Sequence, residues 1–314
     1  IGVHMKLHEG AASGSTGHCC GLDDAWDARR VADTLKIPFY VLNLEDAFRE
    51  AVVDPFAKAW RAGLTPNPCV TCNGVLKFRV LLRRAMSLGA EMLATGHYAR
   101  TENGRLFEAV DTARDQSYFL YPVPAAALEK TLFPLGGLLK PEVRAHAERL
   151  GLINANKPDS MEICFVPDDN HAGFVSRHEA GEGNPIEGAG DIVDESGQKL
   201  GQHEGYHRYT VGQRKGLGLS GGPWYVLEVR PATQQVVVGP DSRLYEQSLV
   251  ARDINWLRPA GDVLGRSLHA RIRHKGALIP AELTLLDPIT VQFRAPARAI
   301  TPGQAVVLYD GAEV

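Results

Sequence analysis

Two kinds of hydrophobic pattern divide the chain. In the first half, apolar positions at helical spacing alternate with short apolar runs. Leu22, Ala25, Trp26, Val31 and Leu35 form one helical stripe, and Phe78, Leu81, Leu82, Ala85 and Leu88 form another. The runs between them read as strands: Ile1 to Lys6, Phe39 to Leu42 after Pro38, and Met92 to Thr95 before Gly96. Pro141 stands one residue inside a further helix that Gly151 closes. His8 to Gly21, polar and rich in Gly and Ser, reads as a loop. Strands alternating with helices predict a parallel sheet covered on both faces, with ligands at the carboxyl ends of its strands. Gly96-His97-Tyr98 lies at one such end.

The second half changes period. Asp168 to Asn184 is polar and contains Gly. Short β-rich runs follow: Trp224 to Leu227, Gln235 to Val238, Ser267 to Ile272, Glu282 to Leu286, Ile289 to Phe293 and Ala305 to Tyr309. They predict one or two small all-β modules, barrel-like in character. Gly216 to Gly222 resembles a phosphate loop in composition only. It leads into Pro223-Trp224-Tyr225, a strand, whereas a phosphate loop opens a helix.

Composition narrows the class. The 314 residues are 44% hydrophobic and 23% charged with a net charge of -3, which excludes a disordered or fibrous chain. No apolar run approaches the roughly 20 residues of a membrane span. The start, Ile1-Gly2-Val3-His4-Met5-Lys6, lacks the pattern of a signal peptide, so a cytoplasmic location is expected. Five cysteines are too few, and odd in number, for a disulfide scaffold. Residues 205–314 hold 13 Lys+Arg against 9 Asp+Glu, a mild excess compatible with a nucleic-acid partner.

Candidate chemistry gathers around the cysteines. Cys69-Val70-Thr71-Cys72 follows Thr65-Pro66-Asn67-Pro68, where two prolines fix a rigid turn. A helix is expected from about Asn73, which places Cys72 at the positive end of its dipole, where thiolate is favoured. Several readings compete. A zinc half-site would need Cys19, Cys20 and His18, with poor ligand spacing. A thioredoxin-like redox pair, two inert buried cysteines, and a catalytic thiol are the others. Cys164, between Ile163 and Phe165, reads in isolation as a core residue, but two thiols in separate segments can pass sulfur through a persulfide or disulfide. His97 reads either as a satisfied core histidine or as part of a site. Arg271 to Lys275 reads as a solvated strand face or as a grip on a phosphate backbone.

Taken together, several segments resemble the bacterial tRNA-specific 2-thiouridylases, which thiolate the wobble uridine of tRNA. They are Thr65 to Asn73, Ala94 to Tyr98, Asp115 to Leu120, Leu132 to Gly136, Asp159-Ser160 to Cys164-Phe165, Thr210 to Gly218 and Thr301 to Gln304. They keep their order and spacing over essentially the whole chain. The resemblance implies a Rossmann-like, parallel-sheet adenine nucleotide α-hydrolase (PP-loop) domain over residues 1–165. A small central tRNA-binding domain over 166–240 and a C-terminal β-barrel over 241–314 would follow.

The resemblance also implies the chemistry. ATP, with Mg2+, would adenylate the C2 oxygen of the uridine. A sulfur-relay protein would load persulfide onto Cys164, and Cys72 would act as nucleophile and close a disulfide with Cys164. Cys69 stands where some members carry Asp, an acid/base position. Met5 and Gly96 would line the adenine site. Asn67, Pro68 and Cys69 would face the target base, and His97, Arg114, Asp115, Gln116, Arg273, His274 and Gln304 would touch the anticodon arm. No metal site and no membrane are expected. The family's Ser-Gly-Gly-Val-Asp-Ser phosphate loop precedes the strand matching Ile1 to Met5. A truncated chain with weakened ATP binding is therefore expected. Competing outcomes are an inactive tRNA-binding remnant and a zinc-stabilised binding module.

Overall fold

The computed structural model describes residues 1–8, 22–157, 163–166, 169–186 and 188–314. These pack as two compact units. The first comprises 1–54 and 68–171, and the second comprises 55–67 and 172–314. Thirteen residues from the middle of the first half, Pro55 to Asn67, thus belong to the unit built mainly from the second half.

The first unit is α/β. Strands β1 (Gly2–Lys6) and β2 (Phe39–Asn43) pair in parallel, with Gly2 opposite Phe39 and Lys6 opposite Asn43. The connection between them holds the helix Leu22–Thr34. Ala32, outside the stripe read from the sequence, is buried, whereas Trp26 of the stripe is 67% exposed. The run Met92 to Thr95 shortens to a two-residue strand, β3 (Leu93–Ala94). Strands β4 (Arg100–Glu102) and β5 (Arg105–Phe107) form a small hairpin. Strand β6 (Thr131–Leu132) pairs in parallel with β3. The expected parallel sheet is therefore present as two parallel pairs, β1–β2 and β3–β6, among the described residues. The helix Lys140–Arg149 has Pro141 in its first turn, and the Glu142 carboxylate accepts from the Leu139 N–H at 2.7 Å. Gly151, with φ of 67°, turns the chain away beyond its end.

The second unit carries two antiparallel-rich sheets. The first has the order β8 (Lys199–His203), β7 (Gly190–Val193), β10 (Gln235–Gly239), β9 (Tyr225–Arg230). Its core is Ile192, Tyr206, Tyr209, Leu217, Val226, Val236 and Val238. The second sheet has the order β11 (Tyr245–Ala251), β14 (Ile289–Arg298), β13 (Ile279–Leu286), β12 (Ser267–Arg271), β15 (Val307–Tyr309). Its core holds Ala270, Ile272, Ala281, Leu283, Val291, Phe293 and Ala297. Alternation along β13 and β14 turns Ala281, Leu283, Val291 and Phe293 to that core. Gly216 to Gly222 is a turn leading to β9, and Trp224 Nε1 donates to the Ser220 carbonyl at 2.9 Å.

The polar stretch 168–184 holds a helix, His171–Gly181. Its composition is poor for a helix, and tertiary contacts override propensity. Val175 is fully buried, the Phe174 ring lies 6.4 Å from that of Phe56, and buried Glu179 meets Arg61 at 3.5 Å.

Phe293→Ala removes a fully buried ring from the five-stranded sheet. It is expected to cost about 3–5 kcal/mol, read from the urea midpoint.

Candidate active site

The thiol segment begins earlier than its prolines suggest. The helix starts at Pro68, not near Asn73, because a first helical position needs no N–H donor. It runs Pro68–Thr71, then Cys72–Leu81 with π-type i→i+5 bonding, then Leu82–Ser87. Cys69 therefore occupies the first turn, and Cys72 lies one turn further in. The dipole effect is concentrated in the first turn, so it applies to Cys69 and reaches Cys72 weakened. Residues three apart share a helix face, so the two lie on the same side. Cys69 is exposed and Cys72 is buried at 9% exposure.

The π segment is held tightly just after Cys72. Asn73 is buried and donates through Nδ2 to the Phe119 carbonyl at 3.1 Å. A Cβ at Gly74 would lie 3.1 Å from Pro122 Cβ, so the missing side chain lets that proline approach. Cys164 stands on a turn closed by the Val166 N–H and the Ile163 carbonyl at 3.0 Å. Phe165 packs edge-on against Phe48 with ring centroids 5.5 Å apart, which fixes the turn beside Cys164. Cys164 itself is half-buried, not sealed in a core.

His97 is neutral in this setting. Burial pushes its pKa well below the ordinary value, and the Lys77 ammonium adds to the effect. The two approach at 3.4 Å, and His97 Nδ1 lies 2.8 Å from Thr95 Oγ1. Lysine has no acceptor, so Nε2 accepts and Nδ1 donates. The ring packs between Phe78 and Phe133, at 5.8 and 6.0 Å. The ring is half-buried, with both nitrogens engaged by neighbouring side chains. Lys77, which holds it, carried no signal beyond a charge in an apolar stripe.

Asp115 and Gln116, also expected at RNA, make hydrogen bonds within the first unit. Asp115 is 5% exposed, and its carboxylate accepts from the Ala109 N–H at 3.0 Å, the Ser117 N–H at 3.3 Å and the Ser117 hydroxyl at 2.7 Å. Gln116 Oε1 accepts from the Tyr98 N–H at 2.9 Å, and the Gln116 N–H donates to the Tyr98 carbonyl at 2.8 Å. The Asp115-Gln116-Ser117 motif thus locks the Gly96-His97-Tyr98 loop, while neighbouring Arg114 stays exposed. In the second unit, Arg273 Nη2 donates to the Ala299 carbonyl and, at 3.1 Å, approaches Thr301 Oγ1. Gln304 Nε2 donates to the Thr65 carbonyl at 2.7 Å. His274 is half-buried, and Lys275 is exposed. Asn67 and Pro68 mark the passage of the chain from the second unit to the first.

The adenine expectation has a geometric counterpart in the first unit. Gly96 is exposed, and a Cβ there would meet only Leu135 Cδ1 at 3.8 Å, so bare backbone is open to a flat ring. Met5 is half-buried on β1. No group of three or more His, Cys, Asp or Glu among the described residues could hold a metal. His18, Cys19, Cys20, Asp159 and Ser160 lie outside the described residues.

Family models define the class first. One described as a tRNA methyl transferase HUP domain matches residues 1–168, a tRNA methyl transferase PRC-barrel domain matches 184–240, and an aminomethyltransferase beta-barrel domain matches 246–314. The molecule is thus a HUP-domain protein with two appended β-modules. The chain is 48% identical to the tRNA-specific 2-thiouridylase MnmA of Koribacter versatilis, over 99% of this chain and 89% of that protein. It is 48% identical to that of Geotalea uraniireducens (93% and 79%) and 45% identical to that of Magnetococcus marinus (100% and 89%). The chain belongs to the tRNA-specific 2-thiouridylase family.

Asp115→Ala leaves buried N–H donors of Ala109 and Ser117 unmatched and is expected to cost about 2–4 kcal/mol in urea denaturation. The salt dependence of tRNA binding is expected to stay unchanged, because no phosphate contact is lost.

Burial also lowers the pKa of His4 and His203. With native pKa values below unfolded ones, the unfolded chain binds protons first as pH falls. The stabilisation is complete above about pH 6.5 and is lost as pH drops through the lowered native values. The urea midpoint is therefore expected to fall between pH 7.5 and about pH 5. His97→Gln is expected to flatten that dependence.

Proposed function

We infer that this chain is a tRNA-uridine 2-sulfurtransferase that thiolates the wobble uridine of tRNA. The observation that carries the reading is the contrast between two thiols on separate segments. A buried Cys72 lies on a braced helix, and a half-exposed Cys164 lies on a separate turn. The domain descriptions speak of methyl transfer and the relatives' names of thiolation, and the thiols favour sulfur chemistry.

ATP, bound with Mg2+, supplies the group that makes the C2 oxygen of uridine a leaving group. The adenine would rest against Met5 and the bare backbone of Gly96. A persulfide donor protein transfers a sulfane sulfur to the more accessible thiol, Cys164. The terminal sulfur bonds to C2 as the activated oxygen departs. Cys72 then attacks the inner Cys164 sulfur, and the electron pair of the broken S–S bond stays on the new 2-thio group. Two thiols end as a Cys72–Cys164 disulfide, which an external thiol reductant must reopen. Cys69, exposed in the first helical turn, would face the base together with the adjoining Asn67 and Pro68. Arg114 and Lys275 remain outward for phosphate contacts with the anticodon arm. Among the described residues no helix is long and apolar enough to cross a membrane, and a tRNA substrate supports a cytoplasmic reaction.

The test is thiolation of unmodified tRNA with ATP-Mg and a persulfide donor, read on a mercury-containing gel that retards thiolated RNA. Cys72→Ser and Cys164→Ser are each expected to abolish the shift, a loss of about 10³-fold or more, while tRNA binding persists. Retained thiolation in either variant overturns the sulfur route. Indifference of every activity to both variants would leave the tRNA-binding remnant as the reading.

A further inference from the structure

Three motifs far apart in sequence meet at Thr65. Its N–H donates to the Pro302 carbonyl at 2.9 Å, and its carbonyl accepts from Gln304 Nε2 at 2.7 Å. Its hydroxyl is hydrogen-bonded to that of Thr210. All four residues belong to the second unit. The approach depends on Gly303, with φ of 92°, where a Cβ would come within 2.8 Å of the Thr65 nitrogen and 2.9 Å of Leu64 Cβ. Arg273 braces the same turn through Thr301 Oγ1 at 3.1 Å. Gln213 Oε1 accepts from the Thr210 N–H at 3.1 Å, holding the third partner in place. An irregular segment has no ladder to satisfy its backbone, and here both polar groups of one peptide residue are taken by a single turn.

We propose that Gln304 is a positioning residue. With the Pro302 carbonyl and the Thr210 hydroxyl, its amide fixes Thr65 so that Asn67, two residues on, is presented to the target base in one geometry. The proposal rests on the thiouridylase reading for its consequence, but not for the clamp itself. It differs from a direct RNA contact in that one N–H of the Gln304 amide is already bonded to backbone.

The clamp is tested by amide hydrogen exchange of the full chain, comparing Gln304→Ala and Gly303→Ala with the unaltered protein. The Thr65 amide is expected to exchange about tenfold faster or more in both, without a matching rise in the cores of the two sheets. Unaltered exchange at Thr65 overturns the proposal. In parallel, tRNA affinity of Gln304→Ala is expected to stay within about twofold, while the single-turnover thiolation rate at saturating tRNA falls about tenfold. Weakened affinity with an unchanged saturating rate would instead make Gln304 an RNA contact. Leu283→Ala, in the core of the five-stranded sheet, controls for general loss of stability. If it reproduces the same fall in rate at the same loss of Tm, the positioning role fails. If the unaltered chain thiolates nothing, the functional reading falls while exchange at Thr65 still decides the clamp.

Discussion

A backbone segment with neither helix nor strand around it must find partners for its N–H and C=O groups, and at Thr65 the turn Thr301–Gln304 supplies both. That constraint governs much of what surrounds it. The close approach requires a residue without a side chain at Gly303. It requires Thr210, itself held by Gln213, and an arginine committed to Thr301. Residues 55–67 are drawn into the second unit along the same stretch: Phe56 lies beside Phe174, and the Arg61 carbonyl accepts from the Tyr206 hydroxyl at 2.7 Å. The chain returns to the first unit with its thiol helix starting at Pro68.

A second theme is the inward direction of motif residues. Polar side chains that stand out in the sequence invite an assignment to ligand, but burial forces polar atoms to be satisfied, and several here are satisfied by backbone. Asp115 gathers donors from Ala109 and Ser117, Gln116 secures the Tyr98 peptide, and Gln304 secures Thr65. Burial and the neighbouring Lys77 ammonium hold the His97 pKa well below its ordinary value. The groups left facing solvent, Cys69, Arg114 and Lys275, are fewer than the motifs suggest.

The sulfur chemistry follows from contrast rather than from similarity of the thiols. Cys72 is buried on a helix whose next residues are pinned by the Phe119 carbonyl and by Pro122 against Gly74. Cys164 sits on a turn with partial exposure, anchored through the neighbouring Phe165. A carrier of sulfur must be reached by a donor protein, and a resolving nucleophile is better kept from stray oxidants. On the proposed sulfur route, those two duties would fall to Cys164 and Cys72 respectively.

The sequence by itself determined the α/β first half, the β-rich second half, the helix opened near Pro141 and closed at Gly151, and the family. These rest on local periodicity, on proline and glycine punctuation, and on motifs whose order survives any folding. The strands of the second half were legible because alternation follows from one face meeting a core. What the tertiary structure alone decided is different in kind. The helix His171–Gly181 exists because Phe56 and Arg61 receive it, more than 100 positions away in the chain. The early start at Pro68 arises because a first helical residue needs no donor, and sequence could not tell that position from the turn before it. The roles of Asp115, Gln304 and Thr210 were invisible, since a side chain's partner is set by which distant backbone groups folding leaves unsatisfied.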